Sequence, residues 1–426
     1  MKKRFFLALL ALLCLSTVTY AGARSQGGKS GGKLVIWDKS EYVQAYNQLN
    51  RARFEQFGKD NNVETEYVVV PHNDIQSKVS AAIEARNPPD IIVVNDDVGK
   101  QYAAMNELVD LTDVFNAVPF TAAGKAIAQV DGGDFVVPLC IFGSGMHIRA
   151  DIWEKNGLPL PDTLDQLLEH ARIINDPKND FYALGYPMGA SGGGDAESFV
   201  RMVVMSHGGI IVDKDLKVTV NSPETLKGLA FIVNLYKEGL CPPSAVTWDD
   251  MGNNNAYMAG AVGVIHNTLS VYSQLRTEKH PLLEKTKILP IPQGPAGRFI
   301  FAGGNTAVVF KNGKQTEMAK KFLINFFDEN YYPDLVAQLG GMWIPCVEGA
   351  ENTSFWRDPV NRSFMDAVKL ARGVGTWPAP ANAITSQISS RQTGVKCVQR
   401  ILLQGMDPQQ SLNLWEQEIK DILAQK

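Results

Sequence analysis

From residue 34 onward, apolar runs typical of buried strands alternate with segments whose apolar residues have helical spacing. Apolar runs at 34–38, 63–70 and 90–95 have the length and the valine and isoleucine content of buried strands. Between them, residues 41–58 and 74–86 place apolar side chains three or four positions apart, which is the spacing of one helix face. Strands that alternate with amphipathic helices predict a parallel, doubly wound sheet.

The same alternation continues after residue 146 and predicts a second unit. Thr163 with Gln166 three positions later has the pattern of a helix capping box. Ser222 before Pro223 marks another helix start, because serine caps a helix and proline suits its first position. The remaining predicted elements are strands at 183–188, 262–266 and 306–310 and helices at 318–327 and from 407 onward.

Composition narrows the functional class. The chain has 426 residues, 45% of them hydrophobic and 20% charged, which is typical of a globular protein with two or three domains. Its formal charge of −4 argues against a nucleic-acid partner. The sequence contains no HExxH, P-loop or dinucleotide-loop motif, so we predict no cofactor.

Cysteine spacing gives no sign of a metal site. Cys140, Cys241, Cys346 and Cys397 lie far apart and form no C-x-x-C pair, so we predict no bound metal. Four cysteines allow three disulfide pairings in an exported protein, and buried free thiols are the alternative.

The first 32 residues have the pattern of a secretory leader. Three basic residues precede an apolar stretch at 5–15, and an A-x-A cleavage site ends at Ala23. We therefore expect a signal peptide over 1–23 and a flexible leader over 24–32. The mature protein would then lie in the periplasm or at the extracytoplasmic face of the membrane, and Cys14 offers a lipid anchor as an alternative.

Several segments, taken with their order and spacing, resemble the extracellular solute-binding proteins of ABC importers, in particular the maltose-type, carbohydrate-binding branch. The matching segments are KLVIW at 33–37, PDIIVV at 89–94, FVVP at 135–138, IRADIWEKNG at 148–157, PDTLDQLL at 161–168, YMAGAVGVIHN at 257–267 and residues 303–312. The resemblance implies a two-lobe α/β fold. Each lobe would be a mostly parallel sheet flanked by helices, with a ligand cleft between the lobes.

The resemblance also implies how the chain is divided between the lobes. Lobe 1 is expected to comprise residues 33–142 and 303–342, and lobe 2 residues 146–298 and 346–426. Segments near 142–146, 298–303 and 340–345 would cross between the lobes as hinges. These segments are rich in glycine, which absorbs the backbone changes that a hinge needs.

By the same resemblance, the protein is the substrate-binding component of an ABC importer and not an enzyme. It would capture a small solute, a sugar or an oligosaccharide, by closing its lobes and deliver it to the transmembrane subunits of the permease. We expect it to act as a monomer. Phe142 stands where the maltose branch has a glutamate and Leu269 where it has a stacking tryptophan, which favours a smaller sugar, another polyol or a different solute over maltodextrin.

Candidate solute ligands lie at the ends of the predicted strands, because open parallel sheets bind ligands beyond their carboxyl ends. Carboxylates, amides and lysine pair with the hydroxyl groups of a polyol. The polar candidates are Asp38, Lys39, Glu41, Asn95, Asp96, Asp97, Asp195, His266, Asn267 and Asn305. Asp38, Lys39 and Asp97 match ligand-contacting positions of the resembled family, whereas Asp96 or Asp97 has a helix cap as its alternative role.

Aromatic rings supply the apolar surface on which the C–H face of a sugar packs. The candidates are Trp37, Trp248, Trp343 and Trp377, with packing in the core or on the surface as the alternative role for each.

A secreted serine hydrolase is the alternative function. Residues 189–193 (GASGG) fit the G-x-S-x-G pattern around Ser191, and Asp249 and His266 follow in the order of a catalytic triad. The glycine run continues beyond this motif, and the sequence has no HGGG-type oxyanion motif, so we place the binding function first.

Overall fold

The computed structural model describes residues 32–130, 132–190, 194–368, 372–373, 377–379 and 382–425. The expected signal peptide and all but the last residue of the expected leader lie outside these residues, as does Ser191.

Strands and helices alternate through most of the described chain. The strands are β1 (Leu34–Lys39), β2 (Thr65–Val70), β3 (Ile91–Asn95), β4 (Val137–Pro138), β5 (Ser144–Arg149), β6 (Tyr182–Leu184), β7 (Val262–Thr268), β8 (Thr286–Leu289), β9 (Phe301–Ala302), β10 (Asn305–Val309) and β11 (Arg372–Gly373). The helices are α1 (Ala45–Asp60), α2 (Ile75–Glu84), α3 (Asp96–Ala104), α4 (Thr112–Ala117), α5 (Ala122–Ala128), α6 (Ala150–Lys155), α7 (Leu164–Ile174), α8 (Asp195–Ser206), α9 (Pro223–Lys237), α10 (Gly252–Met258), α11 (Ser270–Thr277), α12 (Thr316–Phe326), α13 (Tyr331–Gln338), α14 (Ser354–Arg357), α15 (Pro359–Val368), α16 (Ala383–Ser390), α17 (Thr393–Gln404) and α18 (Pro408–Leu423).

The first sheet has the strand order β2-β1-β3-β10-β4. β1 pairs in parallel with β2 and β3, whereas β10 runs antiparallel to both β3 and β4. Side chains along β3 alternate between two cores: Ile91 and Val93 face one, and Ile92 and Val94 face the other. Because both faces of the sheet are buried, its central strands are continuously apolar.

The second sheet has the order β6-β7-β5-β8. β6 and β7 are parallel, and β5 runs antiparallel to both β7 and β8. A large core that includes Trp153 and Trp415 packs on this sheet, and a smaller one includes Tyr257 and Ile265.

The predicted two-lobe α/β architecture is confirmed, and the pairing within the sheets is more mixed than predicted. Parallel pairing dominates among β1, β2 and β3, but β5 and β10 enter their sheets in antiparallel orientation. Both strands follow directly on a segment that crosses from the other lobe. Each therefore begins at the edge where the parallel strands of its sheet end, with Asn305 opposite Asn95 and Ser144 opposite Thr268, and it runs back in the opposite direction.

Two crossing segments and the chain around Ile344 lie side by side. The backbone N–H of Phe142 donates to the carbonyl of Gly303 over 2.8 Å, and Ile141 and Ile344 exchange two backbone hydrogen bonds of 2.9 Å. Only glycine fits at Gly304, because a Cβ there would lie 2.1 Å from the carbonyl oxygen of Cys140. The backbone itself therefore holds these segments together.

The C-terminal part of the chain divides between the cores at a different place from the expected one. Buried Cys346, Trp356 and Phe364 belong to the core of the first sheet, whereas Ala379 and Ile388 belong to that of the second. Residues 346–364, expected in lobe 2, therefore pack on lobe 1, because their apolar side chains fill its core.

The cysteines are buried and free in the described chain. Burial raises the pKa of the Cys241 and Cys346 thiols to about 12, which keeps them protonated at neutral pH. Of the two alternatives from the sequence, the structure shows free thiols.

Replacing Ser222 with alanine should lower the free energy of unfolding by about 1 kcal/mol. Ser222 caps α9 by accepting a 3.2 Å hydrogen bond from the N–H of buried Thr225, which would lose its partner. Urea unfolding measures the loss. As a control, Ser77→Ala removes an exposed hydroxyl at α2 and should change stability by less than about 0.5 kcal/mol. Equal losses in both variants would contradict the capping role.

Candidate functional site

A cleft of about 150 Å³ lies where the two lobes meet. A single water needs roughly 10–15 Å³ of such space, so the cleft has room for a small molecule. The lining residues come from both lobes and from the crossing segments: Lys39, Glu41, Tyr42, His72, Asn95, Asp96, Asp97, Phe142, Gly194, Asp195, Ser198, Asp250, Met251, Asn254, Asn267, Thr268, Ser270, Gly303, Gly304, Met342 and Ser389.

The carboxyl end of β1 supplies a charged pair to the first-lobe wall. Lys39 is the last residue of β1, and only 2% of its side chain is exposed. It forms an ion pair with Glu41, and Asn305 Nδ2 donates to the same carboxylate over 2.6 Å. Because the two charges compensate each other, this pair is neutral overall and can still form hydrogen bonds with a solute.

Acidic residues begin α3, directly after β3. Asp96 accepts from Lys100 Nζ over 3.0 Å and from the backbone N–H of Gly304 over 3.2 Å, which ties it to a crossing segment. Asp97 Oδ1 accepts from the N–H of Val98 over 2.9 Å. The N-cap position of α3 belongs to Asn95, whose side chain makes no capping hydrogen bond.

The second-lobe wall is built from the start of α8 and the end of β7. Asp195, the first residue of α8, accepts from Asn253 Nδ2 over 3.0 Å. Asn267 donates to Asn254, and its own Oδ1 accepts from Ser270 Oγ over 3.1 Å. These hydrogen bonds orient the amides at the edge of the cleft.

Two carboxyl groups of the lining, Asp97 in the first lobe and Asp195 in the second, have raised pKa values. Burial and the charge of Asp96 raise the pKa of Asp97 to about 7. Burial and the charge of Asp250 raise the pKa of Asp195 well above its usual range. Neither group takes part in an ion pair among the described residues. Both can therefore exchange hydrogen bonds with a solute.

The apolar surface of the cleft comes from Tyr42, Phe142, Met251 and Met342. Lys39 Nζ lies 5.7 Å from the centroid of the Phe142 ring, within cation–π range. Two aromatic rings and two flexible thioethers provide a face for the C–H groups of a sugar.

The structure places the four candidate tryptophans, all of them described, away from the cleft lining. Trp343 is fully buried, with its ring 4.9 Å from that of Tyr46, and Trp37 packs against a core of the first sheet. Trp248 packs on the second-lobe cores, and Trp377 lies on the surface with its ring 5.7 Å from that of Phe299. Packing thus accounts for all four rings.

Three polar candidates also lie outside the lining. Asp38 points into the first-lobe core, where its carboxylate accepts hydrogen bonds from Tyr46 and Tyr67. His266 precedes Asn267 on β7 and therefore points to the opposite face, where it is buried. Asn305 is fully buried behind Glu41 and orients it.

The remaining polar candidates are all brought together at the cleft: Lys39, Glu41, Asn95, Asp96, Asp97, Asp195 and Asn267. The lining also includes residues that were not among the sequence candidates, such as Tyr42, His72, Asp250 and Asn254. The acidic and amide-rich run DDMGNNN at 249–255 is the sequence signal that points to two of them.

The geometry gives no support to a serine hydrolase. A catalytic triad needs a hydrogen bond between its carboxylate and its histidine. Asp249 instead accepts from Asn73 and Met251, and neither ring nitrogen of His266 has a hydrogen-bond partner among the described residues. Burial also lowers the pKa of His266 to about 4, which makes it a weak base.

A sequence model of the family described as bacterial extracellular solute-binding protein matches residues 38–329. The chain belongs to this family. Such proteins bind solutes outside the cytoplasm, which agrees with a cleft lined by hydrogen-bonding groups from two lobes.

Three relatives of the family illustrate the similarity. The chain is 22% identical to the diacetylchitobiose binding protein DasA of Streptomyces coelicolor, over 100% of both chains. It is 20% identical to maltose-bound T. maritima MalE3, with a TM-score of 0.81 over 92% of this chain and 99% of that one. An ABC transporter solute-binding protein of Thermotoga lettingae, bound to α-D-tagatose, is 19% identical with a TM-score of 0.83 and the same coverage. The two structures share the two-lobe fold.

The described residues contain no helix with both the length and the apolar character needed to cross a membrane. They also bring together no group of three or more His, Cys, Asp or Glu side chains that could hold a metal ion.

The titration of Asp38 should appear in the pH dependence of stability. Burial raises its pKa to about 7, although hydrogen bonds from Tyr67 and Tyr46 oppose the shift. Because the folded state holds this proton more tightly than the unfolded state, the stabilisation is complete below about pH 4 and is lost as the pH rises through about 7. The unfolding free energy of Asp38→Asn relative to wild type should therefore rise over this range, by at most about 1.4 kcal/mol per pH unit.

Urea unfolding at several pH values between 4 and 8 measures this difference. Asp60→Asn serves as the control, because Asp60 is an exposed carboxylate on α1, and its difference from wild type should stay constant. A constant difference for Asp38→Asn as well would show that Asp38 is not the buried titrating group.

Proposed function

We propose that the protein binds a neutral sugar or polyol in the cleft, releases it unchanged, and serves as the substrate-binding component of an ABC importer. The observation that carries the proposal is the pair Asp97 and Asp195, two carboxyl groups in opposite lobes that lie outside the ion pairs of the cleft. A polyol presents hydroxyl groups on more than one side, so one molecule can hydrogen-bond to both lobes.

The charges of the cleft favour an uncharged solute over an anion. Glu41, Asp96, Asp97, Asp195 and Asp250 all line it. The lysines on the same wall, Lys39 and Lys100, are already paired with Glu41 and Asp96. Because these lysines are already paired, an added phosphate or carboxylate would find neither of them free, and it would meet the charge of Asp250 at a cost of up to about 4 kcal/mol at contact distance near a protein surface.

The relatives support the same solute class. Their names and bound molecules are diacetylchitobiose, maltose and tagatose, which are all carbohydrates. The small cleft and the position of Phe142 favour the smaller end of this range for the present chain.

Binding would proceed by closure. A solute that contacts both lobes favours the closed arrangement by its greater affinity for that state. We propose that the segments 142–146 and 298–303 act as hinges and that the third crossing lies beyond Phe364 rather than at 340–345, since residues up to Phe364 pack in the first core.

The N-terminal segment and the family match also bear on where the protein works and on its partner. We propose that residues 1–23 are removed as a signal peptide, that the mature monomer works in the periplasm or, with a lipid on Cys14, at the outer face of the membrane, and that it delivers its solute to the transmembrane subunits of the permease. The match to an extracellular family supports the location.

A thermal-shift screen of residues 24–426 tests the solute class. At about 100 times the dissociation constant, a sugar that binds only the folded state should raise the melting temperature by on the order of 5 °C. Neutral mono- and disaccharides and sugar alcohols should include such a ligand, and their phosphates and acids should give no shift. A shift with anionic sugars alone would contradict the proposal.

Two aspartates of the first lobe, Asp97 at the cleft and Asp38 in the core, provide a matched pair of variants for the sugar with the largest shift. Asp97→Asn should weaken its affinity roughly tenfold or more, because a hydrogen bond to a charged group is lost at the cleft. Asp38→Asn should leave the affinity within about twofold, since Asp38 lies in the core. Titration calorimetry measures both, and an equal loss in the two variants would count against the cleft as the binding site.

A further inference from the structure

Asp250 lies at the rim of the cleft, where the second lobe meets the first. Its carboxylate accepts hydrogen bonds from the backbone N–H groups of Gly194, over 2.8 Å, and Asp195, over 3.1 Å. These two amides open the first turn of α8. The same carboxylate lies 3.6 Å from His72 Nε2 of the first lobe, and both side chains are less than one-fifth exposed. Asp250 therefore contacts a solute-site helix and the opposite lobe at once.

The electrostatics make Asp250 the ionised member of a carboxyl pair. Burial alone would raise its pKa, but the neighbouring His72 and the amides of Gly194 and Asp195 outweigh burial and hold the pKa below its usual range. The pKa of Asp195 shifts in the opposite direction, because burial and the charge of Asp250 both raise it. The charge of the pair thus resides on Asp250, beside the positive end of the helix dipole.

His72, the first-lobe residue that contacts Asp250, is fixed to the end of the first sheet. His72 begins a short 3-10 turn, His72–Asp74, which follows β2. Its backbone N–H donates to Ser40 Oγ over 3.0 Å, and the N–H of Ser40 donates to the carbonyl of Val70 over 2.7 Å. His72 therefore moves with the ends of β1 and β2, and any opening of the cleft separates it from Asp250.

In the second lobe, Trp248 supports the turn that carries Asp250. Trp248 packs on the second-lobe cores and donates from Nε1 to Ser244 Oγ over 3.1 Å. Gly252 lies so close to the Trp248 side chain that a Cβ there would fall 2.4 Å from the Cβ and 2.5 Å from the Cγ of Trp248. The ring thus supports the turn that carries Asp249 and Asp250, and Asp249 accepts a second contact from the first lobe, from Asn73 Nδ2 over 2.9 Å.

We propose that Asp250 is a positioning residue that couples closure of the lobes to the arrangement of Asp195. With His72 opposite, the Asp250 carboxylate is held against the amides that begin α8, so the second-lobe half of the site is ordered when the lobes meet. The inference rests on the proposed function, because it treats the cleft as the solute site.

Hydrogen exchange at single amides, measured by mass spectrometry on residues 24–426 without any solute, tests this coupling. Asp250→Asn should speed exchange of the Gly194 and Asp195 amides about tenfold, because they lose a charged acceptor. His72→Gln, a change in the other lobe, should speed exchange of the same two amides roughly threefold. The double variant should exchange no faster than Asp250→Asn alone, since His72 acts through Asp250.

Asp74→Asn is the control for His72→Gln, because Asp74 lies two residues away and pairs with Lys78 on the exposed side of the turn. It should leave both amides unchanged. An unchanged rate in His72→Gln, or effects that multiply in the double variant, would overturn the coupling and leave Asp250 as a cap of α8 only. Because no sugar is present, a failure to find a sugar ligand would not affect this result.

Discussion

The first lobe is complete only when the chain has returned from the second. β10 follows all of β5 to β8 in sequence, yet it lies inside the first sheet between β3 and β4, and all five of its residues are buried. Without it, β3 would present an unpaired edge in the middle of a core. The crossing segments must therefore run beside each other, and the space at their open side becomes the cleft. The hydrogen bonds between Asp96 and Gly304 attach the first-lobe wall of the cleft directly to this return path.

The cleft has a common design on its two sides. In each lobe a helix starts at the edge of the cleft with a carboxyl group in its first turn, Asp97 in α3 and Asp195 in α8. A second carboxylate stands beside each, Asp96 and Asp250, and carries the stabilising contacts to a lysine, a histidine or backbone amides. One acid on each side is therefore fixed by the protein, and the other remains available to a solute.

Much of the fold could be predicted from sequence because period and capping are local properties. The capping box at Thr163 and the Ser222 cap are both present, and the predicted strands at 90–95 and 306–310 correspond closely to β3 and β10. The face of the sheet to which each side chain of a strand points cannot be predicted from the local sequence when both faces are buried. The residues Asp38 and Lys39 are neighbours in one apolar strand, and only the assembled sheet shows that Lys39 faces the cleft.

Residues that meet across the cleft were harder to predict for the same reason. His72 and Asp250 are 178 residues apart in sequence, and their contact depends on how the lobes come together. The tryptophans illustrate the opposite error: a large ring near a crossing segment, such as Trp343, fills the core that holds the crossing in place. The polar strand ends proved the better guide to the cleft lining.

The central claim is that one uncharged solute contacts both lobes between Asp97 and Asp195. A crystal structure grown with the sugar that stabilises the protein most would test it directly. The account predicts an intact sugar in the cleft, with hydroxyl groups within hydrogen-bond distance of both carboxyl groups. A sugar bound elsewhere, contacting one lobe alone, or chemically changed would contradict it.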